Sequence, residues 1–220
     1  MAQIYNIDES FDYSLFDNAS CAFGVFDGVH KGHRYLLECA RETARKDNGK
    51  VKRFSDMAKE AKTNAMRMLE RAKVAYTAHE YPHEEGQAVD GANVARLTGQ
   101  DPARVFKTLV TQGADRNYYV FVVPVLAELD LKKAAKAAGV KSVAMIHVAD
   151  INKVTGYIRG GCSPVGMKKQ FVTVYDESCL NQQTILVSGG RIGTQIECAP
   201  ADLIKVTRGK TAAITQEHGA

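Results

Sequence analysis

The chain has 220 residues, 45% of them hydrophobic and 25% charged, the make-up of a soluble folded protein long enough for one domain or one domain with an appendage. A formal net charge of +4 is too modest to mark a general nucleic-acid binder, so any polyanion site must come from a local cluster, and DNA is not expected as a partner. The opening MAQIYNIDESFDY lacks the basic-then-apolar order of an export signal, YYVFVVPVLA is too short to span a bilayer, and five scattered cysteines form no Cys-x-x-Cys pair; no membrane partner is expected, and a reducing cytoplasm fits best.

In chain order, SCAFGVFD predicts a short buried strand and GHRYLLECARETARK, with Tyr35, Leu36, Cys39, Ala40 and Thr43 at helical spacing, a helix. Composition shifts within ARKDNGKVKRFSDMAKEAK, and a boundary set there leaves residues 1–54 as an incomplete fragment and linker and 55–220 as the main domain. Ser55 or Asp56 is the expected cap of a helix whose stripe is Ala61, Ala65, Met68, Leu69 and Ala72. VAYTAHEY alternates like a strand, and Asp90 and Gly99 bound a short helix. ARVFKTLVTQ and NYYVFVVPVL flank GADR as a hairpin. Asp130 caps LKKAAKAA and Gly139 stops it, after which SVAMI, QFVTVYD, TILVS and TQIEC read as strands and Pro200 opens a final helix. Strand runs among dispersed short helices predict an α+β domain with a curved, mixed or mostly antiparallel sheet, not a doubly wound one.

FDGVHKGH resembles the HxGH signature of nucleotidylyltransferases, most closely the adenylyl-transfer half of bacterial riboflavin kinase/FAD synthetase, with His30 and His33 as the motif histidines. Side chains three apart share one helical face beside free N–H groups, a geometry suited to a triphosphate. The resemblance covers only about residues 21–46, and no second signature of the Ser-Ser-Thr-x-x-Arg kind follows. One strand and one helix cannot bury both their faces. A remnant that packs on the other domain, or serves as a dimer contact, is therefore expected.

From Lys62 to about Val206 the chain resembles the YbaK/EbsC family of freestanding aminoacyl-tRNA deacylases, relatives of the editing domain of prolyl-tRNA synthetase. The residues that carry it are KTNAMRMLERAKVAYTAHEYPHEEG, GQDPARVFKTLV, VVPVLAELDLKKAAKAAGVKSV, VTGYIRGGCSPVGMKK and ILVSGGRIG. The resemblance implies the editing-domain fold, a curved mixed sheet or partial barrel with surrounding helices, beside an N-terminal strand-helix appendage. It further implies trans-editing hydrolysis of mischarged tRNA, with Cys-tRNA(Pro) the leading substrate and Cys-tRNA(Cys) a second. The aminoacylated 3′ end of tRNA is then the partner, with prolyl-tRNA synthetase a candidate, and no cofactor or metal is implied. The alternative is a non-catalytic module of this fold that binds an aminoacyl-tRNA or a synthetase.

Lys107 leads the candidate site. On a strand Val105, Lys107 and Leu109 point one way and Phe106, Thr108 and Val110 the other, so an ammonium emerges from an apolar row. A strand lysine is more often an edge gatekeeper; the resemblance reverses that, implying a pocket cation for a phosphate or the terminal ribose, with Thr108 beside it. The loop Gly160, Gly161, Cys162, Ser163 and Pro164 matches the family's Gly-x-x-x-Pro element, which implies a catalytic role for Gly160, Gly161 and Ser163 through N–H groups facing a developing oxyanion. A tight turn is the competing reading. Cys162 lacks a nearby base and reads as a small apolar filler, with Pro164 stiffening the exit, and both are counted with the substrate-binding residues the resemblance implies. Tyr81 and Ser188 match further pocket positions. His79 and His83 flank Pro82 and cannot share a helical face, which argues against a metal. The chain departs from better-known members at Asp90, Ile192 and Gln195, and Gln195 is counted with the substrate-binding set. Lys132 and Lys136, with Lys133, Lys141, Arg159, Lys168 and Lys169, are candidate tRNA-phosphate contacts or else a solvated face.

Overall fold

The computed structural model describes residues 62–83 and 91–216. The chain divides into two compact units, Met1–Ala61 and Lys62–Ala220, and the strand and helix expected around His30 and His33 lie outside the described residues, as do Ser55, Asp56 and Asp90.

Helix α1, Asn64–Arg71, is capped by Thr63, whose extended backbone lets its side chain accept from the Met66 N–H. The cap thus falls later than the Ser55 or Asp56 read from sequence. Its buried stripe is Ala65, Met66 and Leu69, while Met68 is half-buried and Ala72 exposed. Strand β1, Thr77–Glu80, is followed by α2, Gly91–Thr98, which gives way at Gly99 with φ +65°. The hairpin forms as expected from β2, Phe106–Gly113, and β3, Tyr118–Pro124; in its turn the Asp115 carboxylate accepts from the Asn117 N–H. Helix α3, Leu131–Ala138, has both expected ends: Asp130 accepts from the Lys132 and Lys133 N–H groups, and Gly139 takes the left-handed conformation.

Four expected strands follow, β4 (Val143–Met145), β5 (Val172–Asp176), β6 (Ile185–Ser188) and β7 (Thr194–Cys198). Helix α5, Pro200–Thr207, carries proline in its first turn. Helix α4 at Ile151–Thr155 and strand β8 at Lys210–Ala212 were not anticipated, nor were the short 3-10 turns at Pro102–Arg104, Val148–Asp150 and Glu177–Asn181.

The strands form a three-stranded sheet, β1-β7-β6, and a five-stranded sheet, β4-β2-β3-β5-β8. The first is antiparallel. In the second β4, β2 and β3 are antiparallel, and β3, β5 and β8 run parallel. A parallel bridge between Val105 and Leu186 joins the sheets. The main core lies where Phe106, Val122 and Tyr175 of the larger sheet meet Ile185, Val187 and Ile196 of the smaller, closed by Ala65 and Leu69 of α1 and Leu203 of α5. On the other face of the larger sheet Tyr119, Phe121, Val123 and Val174 pack on Ala134 and Ala135 of α3. Covered on both sides, β3 buries Val120 to Val123 completely, which is why YYVFVV reads as an unbroken apolar run and not an alternation. A third cluster, Ala95, Val105, Val125 and Leu186, sets α2 against the bridge. Among the described residues no helix is long and apolar enough to cross a membrane.

Candidate active site

The join between the sheets opens into a cavity of about 590 Å³. Strand β2 supplies Lys107 and Thr108, the segment after β1 supplies Tyr81, the end of β6 supplies Ser188 and β7 supplies Gln195. The loop after α4 adds Arg159, Gly160 and Cys162, and Val94, Val105, Val125 and Met145 give apolar wall. Neighbours on one strand, Lys107 and Thr108 point to opposite faces. Both reach the cavity because β4 pairs with β2 only over Thr111–Gly113, which leaves the edge at Phe106 to Leu109 without a partner strand.

Lys107 is 30% exposed and 3.7 Å from a Glu128 carboxylate oxygen. Its Nζ donates to the Val125 carbonyl at 3.2 Å, so the ammonium is aimed along the wall and not into bulk water. Burial pushes the Cys162 thiol up to about 12, leaving it protonated at neutral pH and a poor nucleophile. Burial also holds the Tyr81 phenol above its ordinary value.

The glycine loop is shaped by packing. Gly160 has φ +80°, and the Gly161 N–H is already given to the Ile158 carbonyl. A Cβ on Gly161 would stand 3.0 Å from the Arg191 and Ile192 backbone, so the residue permits two loops to touch. Gly161, Ser163 and Pro164 do not line the cavity; Ser163 is fully buried and its Oγ accepts from the Val165 N–H. Ser188 accepts from the Gly190 N–H through its hydroxyl. Ile192, one of the departures, is buried.

Tyr157 was missed from sequence. Its hydroxyl donates to the Val165 carbonyl at 2.7 Å, burial raises its pKa, its hydroxyl oxygen would stand 2.8 Å from a Cβ on Gly166, and its ring 3.0 Å from one on Gly190. It braces both glycine loops beside the cavity. Nothing local in the sequence marks it, because its partners Val165, Gly166 and Gly190 are brought to it only by the fold. Also missed was the cluster in which His79 lies 2.7 Å from Glu197 and Arg104 pairs with the same carboxylate. The Thr184 hydroxyl, then His79 and Arg104, hold the Glu197 carboxyl below the usual range. His79 is thus engaged by a carboxylate, His83 packs edge-on to Tyr81, and among the described residues no group of three or more His, Cys, Asp or Glu could hold a metal ion.

The cations disperse. Arg159 is exposed and lines the cavity. Lys132 and Lys136 are exposed on α3 and do not line it. Lys133 donates to the Thr215 carbonyl, and Lys141 is exposed. Lys168 donates to the Asn152 carbonyl and, with Lys169 and Pro164, lines a separate cavity of about 140 Å³.

Residues 85–206 match the family model for the aminoacyl-tRNA editing domain, and residues 14–75 match that for FAD synthetase. A protein of Enterococcus faecalis (strain ATCC 700802 / V583), provisionally named Cys-tRNA(Pro)/Cys-tRNA(Cys) deacylase EbsC, is 48% identical over 157 residues, covering 71% of this chain and 95% of its own. Two solved structures share the fold. The hypothetical protein APE2540 has a TM-score of 0.63 at 21% identity, over 70% of this chain and all of its own. A protein provisionally described as a trans-editing enzyme for prolyl-tRNA synthetase has 0.61 at 22%, over 70% and 96%. With the editing-domain match spanning more than half of the sequence and the cavity lying almost wholly within it, the chain belongs to the aminoacyl-tRNA editing domain family.

Proposed function

We propose that the protein is an aminoacyl-tRNA deacylase acting in trans on mischarged tRNA, with Cys-tRNA(Pro) as its main substrate, Cys-tRNA(Cys) as a second, and prolyl-tRNA synthetase as a candidate partner. The observation that carries this is the convergence of Tyr81, Lys107, Gly160, Cys162 and Ser188 on one cavity in a chain of the editing family. The ester of an aminoacyl-tRNA is already reactive, so positioning and charge stabilisation are enough to bring its modest barrier down. Lys107 is the cation for the terminal ribose or its phosphate. Backbone N–H groups at Gly160 or Cys162 face the carbonyl oxygen, since that of Gly161 is committed to Ile158. Arg159, at the cavity, is the first candidate among the basic residues for tRNA phosphate.

A protonated Cys162 and a cavity with no histidine among its described lining residues support attack by the substrate's own thiol. A sulfur–carbon bond forms at the carbonyl, the ester carbon–oxygen bond breaks, and the thiol proton passes to the ribose oxygen; water then opens the thiolactone. Size alone cannot produce the resulting selectivity, because alanine is smaller than cysteine and one small group is worth only about 1–3 kcal/mol in an apolar pocket. The test compares Cys-, Ala- and Ser-charged tRNA(Pro) under single-turnover conditions, then Cys-tRNA(Pro) with its thiol alkylated. The reading expects fast cleavage of the cysteinyl ester alone. Equal rates for alanine and cysteine would reject thiol assistance, and binding without cleavage would leave an adaptor.

A further inference from the structure

Among the described residues two buried side-chain polar atoms lack a hydrogen-bond partner, Thr108 Oγ1 and Gln195 Oε1. Folded proteins leave few such atoms, and each one asks for a reason. Here both residues line the same cavity although they come from different sheets. Gln195 is only 5% exposed and is fixed from both sides, paired in register with His79 of β1 and Ser188 of β6. The parallel bridge of Val105 to Leu186 sets Lys107 and Thr108 level with Ser188 and its neighbour. Strands β2 and β7 thus lie on either side of β6, and both residues reach the cavity where the two sheets part.

The chemistry of the two atoms narrows that group. An amide oxygen only accepts, and a threonine hydroxyl accepts as readily as it donates. A carbonyl or ester oxygen brings no hydrogen, and a thiol or hydroxyl brings one. Among the groups of an aminoacyl moiety the primary amine alone brings at least two, enough for both oxygens at once. We propose that Thr108 and Gln195 form an amine subsite that holds the α-amino group of the aminoacyl moiety, orienting Cα so that its side chain faces the carbonyl. The assignment of that amine to an aminoacyl ester rests on the function proposed above. The amide is uncharged, so the subsite grips through hydrogen-bond geometry and not through ion pairing.

The test uses the full chain and two non-hydrolysable amide-linked probes, 3′-(L-cysteinylamino)-3′-deoxyadenosine and its 3-mercaptopropionyl counterpart, which lacks only the amine. Calorimetric titration should show the wild type preferring the amine-bearing probe by about tenfold or more, the scale of a hydrogen-bonded amine lost from a desolvated site. Gln195→Met and Thr108→Val should each bring that preference to within about threefold, weakening the amine-bearing probe more than the mercaptopropionyl one. Gln195→Glu, which keeps the acceptor and adds charge, should retain or raise it, and covers the case in which Gln195→Met does not fold. Equal wild-type affinity for the two probes, no binding of either, or an undiminished preference in both folded Gln195→Met and Thr108→Val would overturn the proposal. Loss of the deacylase reading looks different: the amine preference persists while the wild type leaves Cys-tRNA(Pro) uncleaved.

Discussion

Lys107 is held at the cavity wall by a carbonyl and a carboxylate, both of which a substrate oxygen could displace. Lys107→Ala should lower kcat/KM for Cys-tRNA(Pro) at least tenfold, about 1.4 kcal/mol in the barrier, whereas Cys162→Ala should cost much less. A dead Cys162→Ala beside an active Lys107→Ala would invert the assignment. The thiols also predict how stability depends on pH. Burial raises Cys162 and Cys198 to about 12 and Cys179 to about 11, from an ordinary 9.0. A raised pKa means that the folded state keeps protons the unfolded chain has released, so this contribution is whole below pH 9 and is lost between about 9 and 12. Urea midpoints should fall as pH rises from 8 to 10.5, and replacing the three cysteines with alanine should flatten that fall whatever it does to the midpoint itself. At this scale Lys107 was legible only through the family motif, because alternation alone reads a strand lysine more readily as an edge gatekeeper. Tyr157 was not, because its role depends on where Val165 and Gly190 come to lie.

The elements divide between those defined by their own sequence and those defined by contact. Helix α3 was legible at both ends, since Asp130 and Gly139 act on backbone within a few residues of themselves. The start of α1 was not: several residues could cap it, and Thr63 is singled out by a tie to the Gly189 carbonyl across the fold. Strand β8 was unreadable for the same reason, being three residues that extend because β5 offers them an edge. The glycine loop belongs to this second kind, and its integrity can be tested apart from its chemistry. Tyr157→Phe should destabilise the protein by about 1–2 kcal/mol by leaving the buried Val165 carbonyl without its donor. Gly161→Ala should lower the thermal midpoint and kcat together, because a methyl 3.0 Å from the Arg191 backbone must push one cavity loop off the other. An unchanged midpoint in Gly161→Ala would show that the loops have slack.

For the whole chain, the division at Ala61 and Lys62 and a relative that matches over 95% of its own length with 71% of this sequence suggest that the second unit carries the chemistry. Removing residues 1–54 should leave kcat/KM within about twofold, and changing both His30 and His33 to alanine should do the same; a large loss with the fold preserved, seen by circular dichroism, would give the first unit a part in catalysis. The α+β class and most strands were readable from pattern. The convergence that makes the site was not, because it depends on pairings between distant segments, β1 with β7 and Val105 with Leu186, and only the family resemblance gathered those residues beforehand. The pairing of β1 with β7 also imposes an order on biosynthesis. A chain emerging from the ribosome at ~5–20 residues per second exposes β1, Thr77–Glu80, well before β7, Thr194–Cys198, exists to cover it. Gln195 and Ser188 arrive with β7 and β6, so a nascent chain that has not reached them carries Lys107 without the opposite wall, and competence to bind a ligand should appear all at once, only when β7 has been made.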